Sequence, residues 1–262
     1  MNSYFNIVKK LFKRHSKLFT LKKEALSNVV LSKISYFITP FFIFLKFSPN
    51  FITLTNFFVS LVSIFFIISL DSQLFVWGIL LYFLFRILDF SDGSVARYYN
   101  ISSFYGRFID SFLDLFFLSS LVLSVSFYTF KVFENENLFI LGIVSTLFSV
   151  FDTFVYDKYA SLARWSNQVN KKKVIPYLRE KFLFRITLMY TDIYTFCYLA
   201  LLFTAENKFF FEKVVLLLFV TLIISAIQNL TLHFIHAYKS FLMFTGAESS
   251  KSSNKKAKVK LL

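Results

Sequence analysis

Six separate apolar runs decide what this chain can fold into. They cover roughly 51–70, 74–91, 104–129, 138–156, 184–204 and 214–237. About 20 apolar residues in a helix cross the hydrocarbon core of a bilayer. The sequence is 56% hydrophobic and 17% charged, whereas soluble domains carry about 25% charged residues. The predicted fold class is therefore all-α, a polytopic membrane bundle of six transmembrane helices. The 40 phenylalanines exceed what packing requires and are read as compositional bias.

The net charge of +14 is not spread evenly. Residues 1–49 carry Lys9, Lys10, Lys13, Arg14, Lys17, Lys22, Lys23, Lys33 and Lys46 against Glu24. The segment 157–185 includes Lys171, Lys172, Lys173 and Arg179, and the tail after His236 holds six lysines against Glu248. The linkers at 71–73, 131–137 and 205–213 are neutral or slightly acidic. This alternation is the positive-inside signature. It puts both termini in the cytoplasm and accounts for the basic charge without a nucleic-acid partner.

Before the first run, Phe5, Val8, Leu11, Phe12 and Phe19 share one helical face, opposite a lysine-rich face. This predicts a basic amphipathic helix on an anionic membrane surface, not a cleaved signal peptide. Residues 28–47 are apolar but interrupted by Lys33, Pro40 and Lys46. Proline disfavours a straight helix, so an interfacial helix is expected there. The organisation is an N-terminal region 1–49, a six-helix domain 50–238 and a basic tail 239–262. Cys197 is the single cysteine and cannot form an internal disulfide. His15, His233 and His236 read as packing residues, and Asp152 and Asp192 stand alone in their runs.

The stretch DFSDGSVARYYNISSFYGRFIDSFLD, from Asp89 to Asp114, breaks the apolar pattern. It straddles the expected cytoplasmic loop between runs ending near Ser91 and starting near Phe104. Asp89 and Asp92 are three apart, and Asp110 and Asp114 are four apart, spacings that share a helix face. Ionised groups at membrane depth are costly and mark functional sites. Ion pairing to Arg86, Arg97 and Arg107 is one way to offset them, but three arginines cannot easily neutralise four regularly spaced aspartates. Carboxylate oxygens are hard ligands suited to Mg²⁺, Mn²⁺ or Ca²⁺. Arg97 suits phosphate, and Gly93 and Gly106 allow close approach of a ligand to the backbone.

The pattern D-x-x-D-G-x-x-A-R, eight residues, then G-x-x-x-D-x-x-x-D resembles the CDP-alcohol phosphotransferase family. Asp89, Asp92, Gly93, Ala96, Arg97, Gly106, Asp110 and Asp114 fill every fixed position. The SPNFIT segment resembles the family's approach to its first helix through Asn50 and Thr53. The resemblance covers about residues 30–237. It implies transfer of a phosphate-linked alcohol from a CDP-alcohol, most often CDP-diacylglycerol, to an alcohol acceptor, with release of CMP, in phospholipid biosynthesis. It implies Asp89, Asp92 and Asp110 as ligands of one or two Mg²⁺ or Mn²⁺ ions, with Asp114 sharing the second and serving as general base. Asn50, Thr53, Gly93, Ala96, Arg97, Ser103 and Gly106 would line the CDP-alcohol site. A homodimer in the plasma (inner) membrane, with a cytoplasmic active site, is expected. Leu115 departs from the Asp-Arg ending of many members. Two other classes compete: an aspartate-rich intramembrane prenyltransferase, whose clusters come in pairs, and a non-catalytic cation-binding membrane protein.

Overall fold

The computed structural model describes residues 4, 7–9, 11, 24–101, 104–170 and 181–244. Seven long helices make up most of these residues. They are α1 (Leu26–Phe44), α2 (Pro49–Ile68), α3 (Ser72–Tyr99), α4 (Phe104–Phe133), α5 (Glu136–Asn170), α6 (Lys181–Thr204) and α7 (Lys208–Phe244). The all-helical membrane class is as expected. The count is not: seven helices, rather than six, are long and apolar enough to cross a bilayer. The addition is α1, which runs unbroken through Pro40. Its hydroxyls help to satisfy its own backbone, with Ser35 Oγ donating to Ser32 O and Thr39 Oγ1 to Ser35 O.

Local chemistry sets the helix boundaries. Ser48 caps α2 by accepting from Phe51 N at 3.2 Å, and Pro49 fits the first turn, where its missing N–H costs nothing. Asp71 caps α3 by accepting from Leu74 N at 2.8 Å. Asn100, with φ of 57°, ends α3 in the left-handed conformation that asparagine tolerates. The loop expected from Ser91 onward is thus only a few residues long, and Asp89 to Arg97 all lie on one continuous helix.

The short links at 69–71, 134–135 and 205–207 fold α2–α3, α4–α5 and α6–α7 into antiparallel hairpins. In lipid, helices associate by close packing of small residues and by hydroxyl hydrogen bonds. The α2–α3 contact shows both. Ser63 Oγ donates to Gly78 O at 2.7 Å. A Cβ on Gly78 would lie 2.6 Å from Ile67 Cγ1 and 2.9 Å from Ser63 O. Between α3 and α4, larger side chains fill the space. Phe75 meets Tyr128 at 4.3 Å between ring centroids, and Phe85 meets Phe117 at 4.2 Å. These rings belong to a core shared with Leu201, Phe211 and Leu218 of α6 and α7. Large apolar side chains such as Trp77 and Phe203 point outward instead, as a lipid-facing surface requires.

Helix length positions the site. At 1.5 Å per residue, the 28 residues of α3 span about 42 Å, well beyond a hydrocarbon core of about 30 Å. The links at 69–71, 134–135 and 205–207 level the helices at one end, so the excess projects at the other. Asp92, 20 residues into α3, falls at that boundary. Helix α1 runs beside only the second half of α3: Arg86 Nη2 donates to Asn28 Oδ1 at 2.7 Å, and the Tyr99 hydroxyl to Ile43 O at 3.0 Å. Of the N-terminal arm, residues 4, 7–9 and 11 are described and helical. Leu11 is buried against Tyr36, Ile43, Ile52 and Val95, so this part of the arm docks on α1–α3. Lys171–Lys173, Arg179 and the tail after residue 244 lie outside the described residues.

Gly78→Leu would overpack the α2–α3 contact, a change that costs about 1–3 kcal/mol or more. A clear fall in thermal midpoint of the purified protein in detergent is expected. Trp77→Leu, on the adjacent lipid-facing position, should leave the midpoint nearly unchanged. Equal melting of both variants would remove close packing at Gly78 as a determinant of the hairpin.

Candidate metal and substrate site

Because α3 stays helical to Tyr99, Asp89 and Asp92 project from one face near its end. Helix α4 starts at Phe104 and brings Asp110 in its second turn. Asp89, Asp92 and Asp110 each offer a carboxylate oxygen, and these oxygens lie within 4.8 Å of one another. Asp92 is buried, at 5% exposure. Its Oδ2 accepts a 2.7 Å hydrogen bond from Thr53 Oγ1 in the first turns of α2. The site is therefore assembled from three helices.

Three carboxylates this close repel strongly where the local dielectric is low. The nearest arginine on the same helix does not contact them. Arg86 spends its hydrogen bond on Asn28 and acts on Asp89 and Asp114 only through its field. Among the described residues a 3.3 Å contact joins His233 Nε2 to Asp152 Oδ1, on other helices. The arrangement fits a divalent cation instead. Magnesium–oxygen bonds of about 2.1 Å put opposed oxygens of one octahedron about 4.2 Å apart, and calcium sites are slightly wider. The spread of the three oxygens matches, and hard anionic oxygens are the donors such ions prefer.

Asp114 stands outside this group. It follows Asp110 by one turn, about 6 Å along α4, and lines a partly open cavity of about 330 Å³ between α3 and α7. Ser111, next to Asp110, lines the same cavity, so metal-type ligands and cavity are neighbours on α4. Arg97 folds back over Gly93: its Nη1 would be 3.2 Å from a Cβ there, and its Nη2 donates to Ser94 Oγ at 3.2 Å. Gly93 thus clears room for the guanidinium. Ala96 and Gly106 are half-buried, on α3 and the first turn of α4, and Asn50 is exposed at the start of α2. Ser103 lies outside the described residues.

Two aspartates that look isolated in the sequence have partners. Asp192 on α6 accepts from Leu26 N at 3.1 Å and Ser27 N at 2.7 Å, capping α1 across the bundle. Asp152 on α5 accepts from Asn229 Nδ2 at 3.0 Å and lies 3.3 Å from His233 Nε2. Both Asp152 and Asn229 line the cavity. No local spacing announces this pairing, since the partners are 77 residues apart.

Thr53→Val keeps the shape but removes the hydroxyl that steadies Asp92. Loss of a partner behind a ligating group typically weakens metal affinity about 10–100-fold. Used as a probe cation, Mn²⁺ should bind about 10–100-fold more weakly to the variant than to the wild-type protein. Unchanged Mn²⁺ affinity would show that the Thr53–Asp92 bond is incidental.

Comparison with protein-family models matches the chain to CDP-alcohol phosphatidyltransferase over residues 46–237. The matched region takes in α2 to α6, most of α7 and every aspartate described above. No curated protein matches the chain.

Proposed function

The chain belongs to the CDP-alcohol phosphatidyltransferase family, and we propose that it transfers a phosphatidyl-type group from CDP-diacylglycerol to a hydroxyl acceptor, releasing CMP. It is an integral membrane transferase for phosphate-containing groups, of a family that works in phospholipid synthesis with divalent metals. The observation that carries the finer reading is the three-carboxylate group within 4.8 Å, with Asp114 one turn away on a cavity wall.

Asp89, Asp92 and Asp110 would hold Mg²⁺ or Mn²⁺, with Asp114 near enough in sequence to share a second ion. Bound there, the metal would offset the charge of the pyrophosphate and of the departing CMP. The chain's own groups do the rest. Arg97 pairs with phosphate oxygens, in a fork geometry that suits them. Asn50, Thr53, Gly93, Ala96, Ser103 and Gly106 shape the nucleotide side of the site. Asp114 takes the proton from the acceptor hydroxyl as that oxygen attacks phosphorus, which is general-base work for a carboxylate within reach. The location supports both halves of the donor. The nucleotide meets water at the projecting helix ends, while the acyl chains pass between helices into lipid.

The basic segments around 1–49 and 157–185 support a cytoplasmic site with cytoplasmic termini in the plasma membrane. Helix α1 runs beside the projecting half of α3. The family resemblance also favours a homodimer. A prenyltransferase would need a second acidic cluster. Among the described residues one such group forms, and Asp152 and Asp192 are committed to His233, Asn229 and the α1 terminus.

Incubation with CDP-diacylglycerol, Mn²⁺ and a panel of alcohols should release CMP. Asp114→Asn should cut that release by about 10²–10⁴-fold, the usual weight of a general base, while Mn²⁺ binding stays close to wild type. Asp92→Asn should lose both. Full activity in Asp114→Asn would remove it from the base role, and ion transport with no CMP from any alcohol would sink the enzyme reading.

A further inference from the structure

Beside the carboxylates stands a cation that does not pair with them. Arg86 sits on α3 one turn before Asp89, about 4.5 Å along the axis. Its guanidinium lies 5.8 Å from the ring centroid of Phe90, the residue after Asp89, which brings the charge toward the level of the carboxylates. It acts on both Asp89 and Asp114 through its field. Residues three apart on a helix are neighbours, and opposite charges at that spacing commonly pair. Yet among the described residues no ion pair joins Arg86 to any carboxylate.

Asn28 on α1 holds the guanidinium away. Arg86 Nη2 donates to Asn28 Oδ1 at 2.7 Å, and the Asn28 side chain also bonds the Glu24 carboxylate. A carboxylate accepts, so the amide nitrogen faces Glu24 and the amide oxygen is left for the guanidinium. Helix α1 is itself fixed at this end, because Asp192 accepts from Leu26 N and Ser27 N. Arg86 Nε is buried and makes no hydrogen bond. An unpaired buried donor on a charged group is costly, and a swing onto Asp89 would offer it acceptors. The tether therefore works against the pairing that helical spacing alone favours.

A cation held at this place has two effects. It offsets part of the repulsion among the carboxylates before a metal arrives, since charges interact strongly where screening is poor. It also repels a divalent ion held by the same carboxylates. We propose that Arg86 is a positioning residue that sets the metal affinity of the site: tethered by Asn28, it supplies a standing positive field and leaves the ligand oxygens of the aspartates open. The assignment rests on the reading of Asp89, Asp92 and Asp110 as metal ligands. Ions such as Mg²⁺ are commonly held by a few carboxylates together with substrate phosphates. A protein site weakened in this way makes the ion depend more on the donor's phosphates.

The test measures Mn²⁺, as a probe cation, binding to the purified full-length protein in detergent without substrate. Arg86→Met removes the charge at similar length, and Arg86→Gln removes it while keeping a donor toward Asn28. Each should lower the Mn²⁺ dissociation constant by about 10-fold or more, as loss of a nearby like charge does where screening is poor. Arg86→Lys keeps the charge and should stay within a few-fold of wild type. Asn28→Leu releases the guanidinium to compete for Asp89 and should raise the dissociation constant by about 10-fold. A mere brace between α1 and α3 gives a different result, since losing it from either end would weaken the site. Weaker or unchanged binding in Arg86→Met or Arg86→Gln overturns the proposal, as does an Arg86→Lys variant that binds as tightly as Arg86→Met. Tighter or unchanged binding in Asn28→Leu overturns the tether. Absence of saturable Mn²⁺ binding in the wild-type protein overturns the metal reading itself, an outcome distinct from the others.

Discussion

Mutual repulsion among the carboxylates of Asp89, Asp92 and Asp110 is the constraint around which this bundle is arranged. Their oxygens lie within 4.8 Å of one another at the edge of an apolar core, where charge is poorly screened. A chain selected for stability alone would not bring them together. Features that look incidental make sense as means of holding them. Helix α3 continues two turns beyond the hydrocarbon boundary, so that its aspartates meet α2 and α4. Thr53 ties Asp92 to α2. Arg86 is anchored to α1 through Asn28 rather than ion-paired to them.

The same arrangement divides labour along α4. Asp110 belongs to the carboxylate group and Asp114, one turn on, faces the cavity. Metal-holding and proton-taking roles can thus sit on one rigid helix, with their separation set by helix pitch. The cavity is built largely from the other half of the bundle, α5 to α7.

Much of this was legible in the sequence. Apolar runs gave the six main helices because length and hydrophobicity are local properties. The aspartate spacings gave a shared face because helix pitch is fixed. What failed did so for identifiable reasons. The helix α3 was expected to stop near Ser91, since charge looks like a loop when the run is scored by hydropathy alone. It continues to Tyr99, because polar residues remain helical once they project past the lipid. Pro40 was given too much weight, and α1 passes through it, packed against α3. Asp192 and Asp152 read as solitary because a cap across the bundle and a pair spanning α5 and α7 leave no sequence pattern. Thr53, expected at the substrate, also bonds Asp92, a pairing 39 residues apart that no local spacing announces.

Manganese binding to the purified full-length protein, followed by electron paramagnetic resonance, bears on all of this at once. Wild-type protein should bind Mn²⁺ saturably in the absence of substrate. Changing Asp89, Asp92 and Asp110 together to asparagine keeps their shape and removes their charge, and it should abolish that binding without unfolding the bundle. Undiminished binding by the triple variant would place the metal elsewhere and leave the three carboxylates without the role assigned to them.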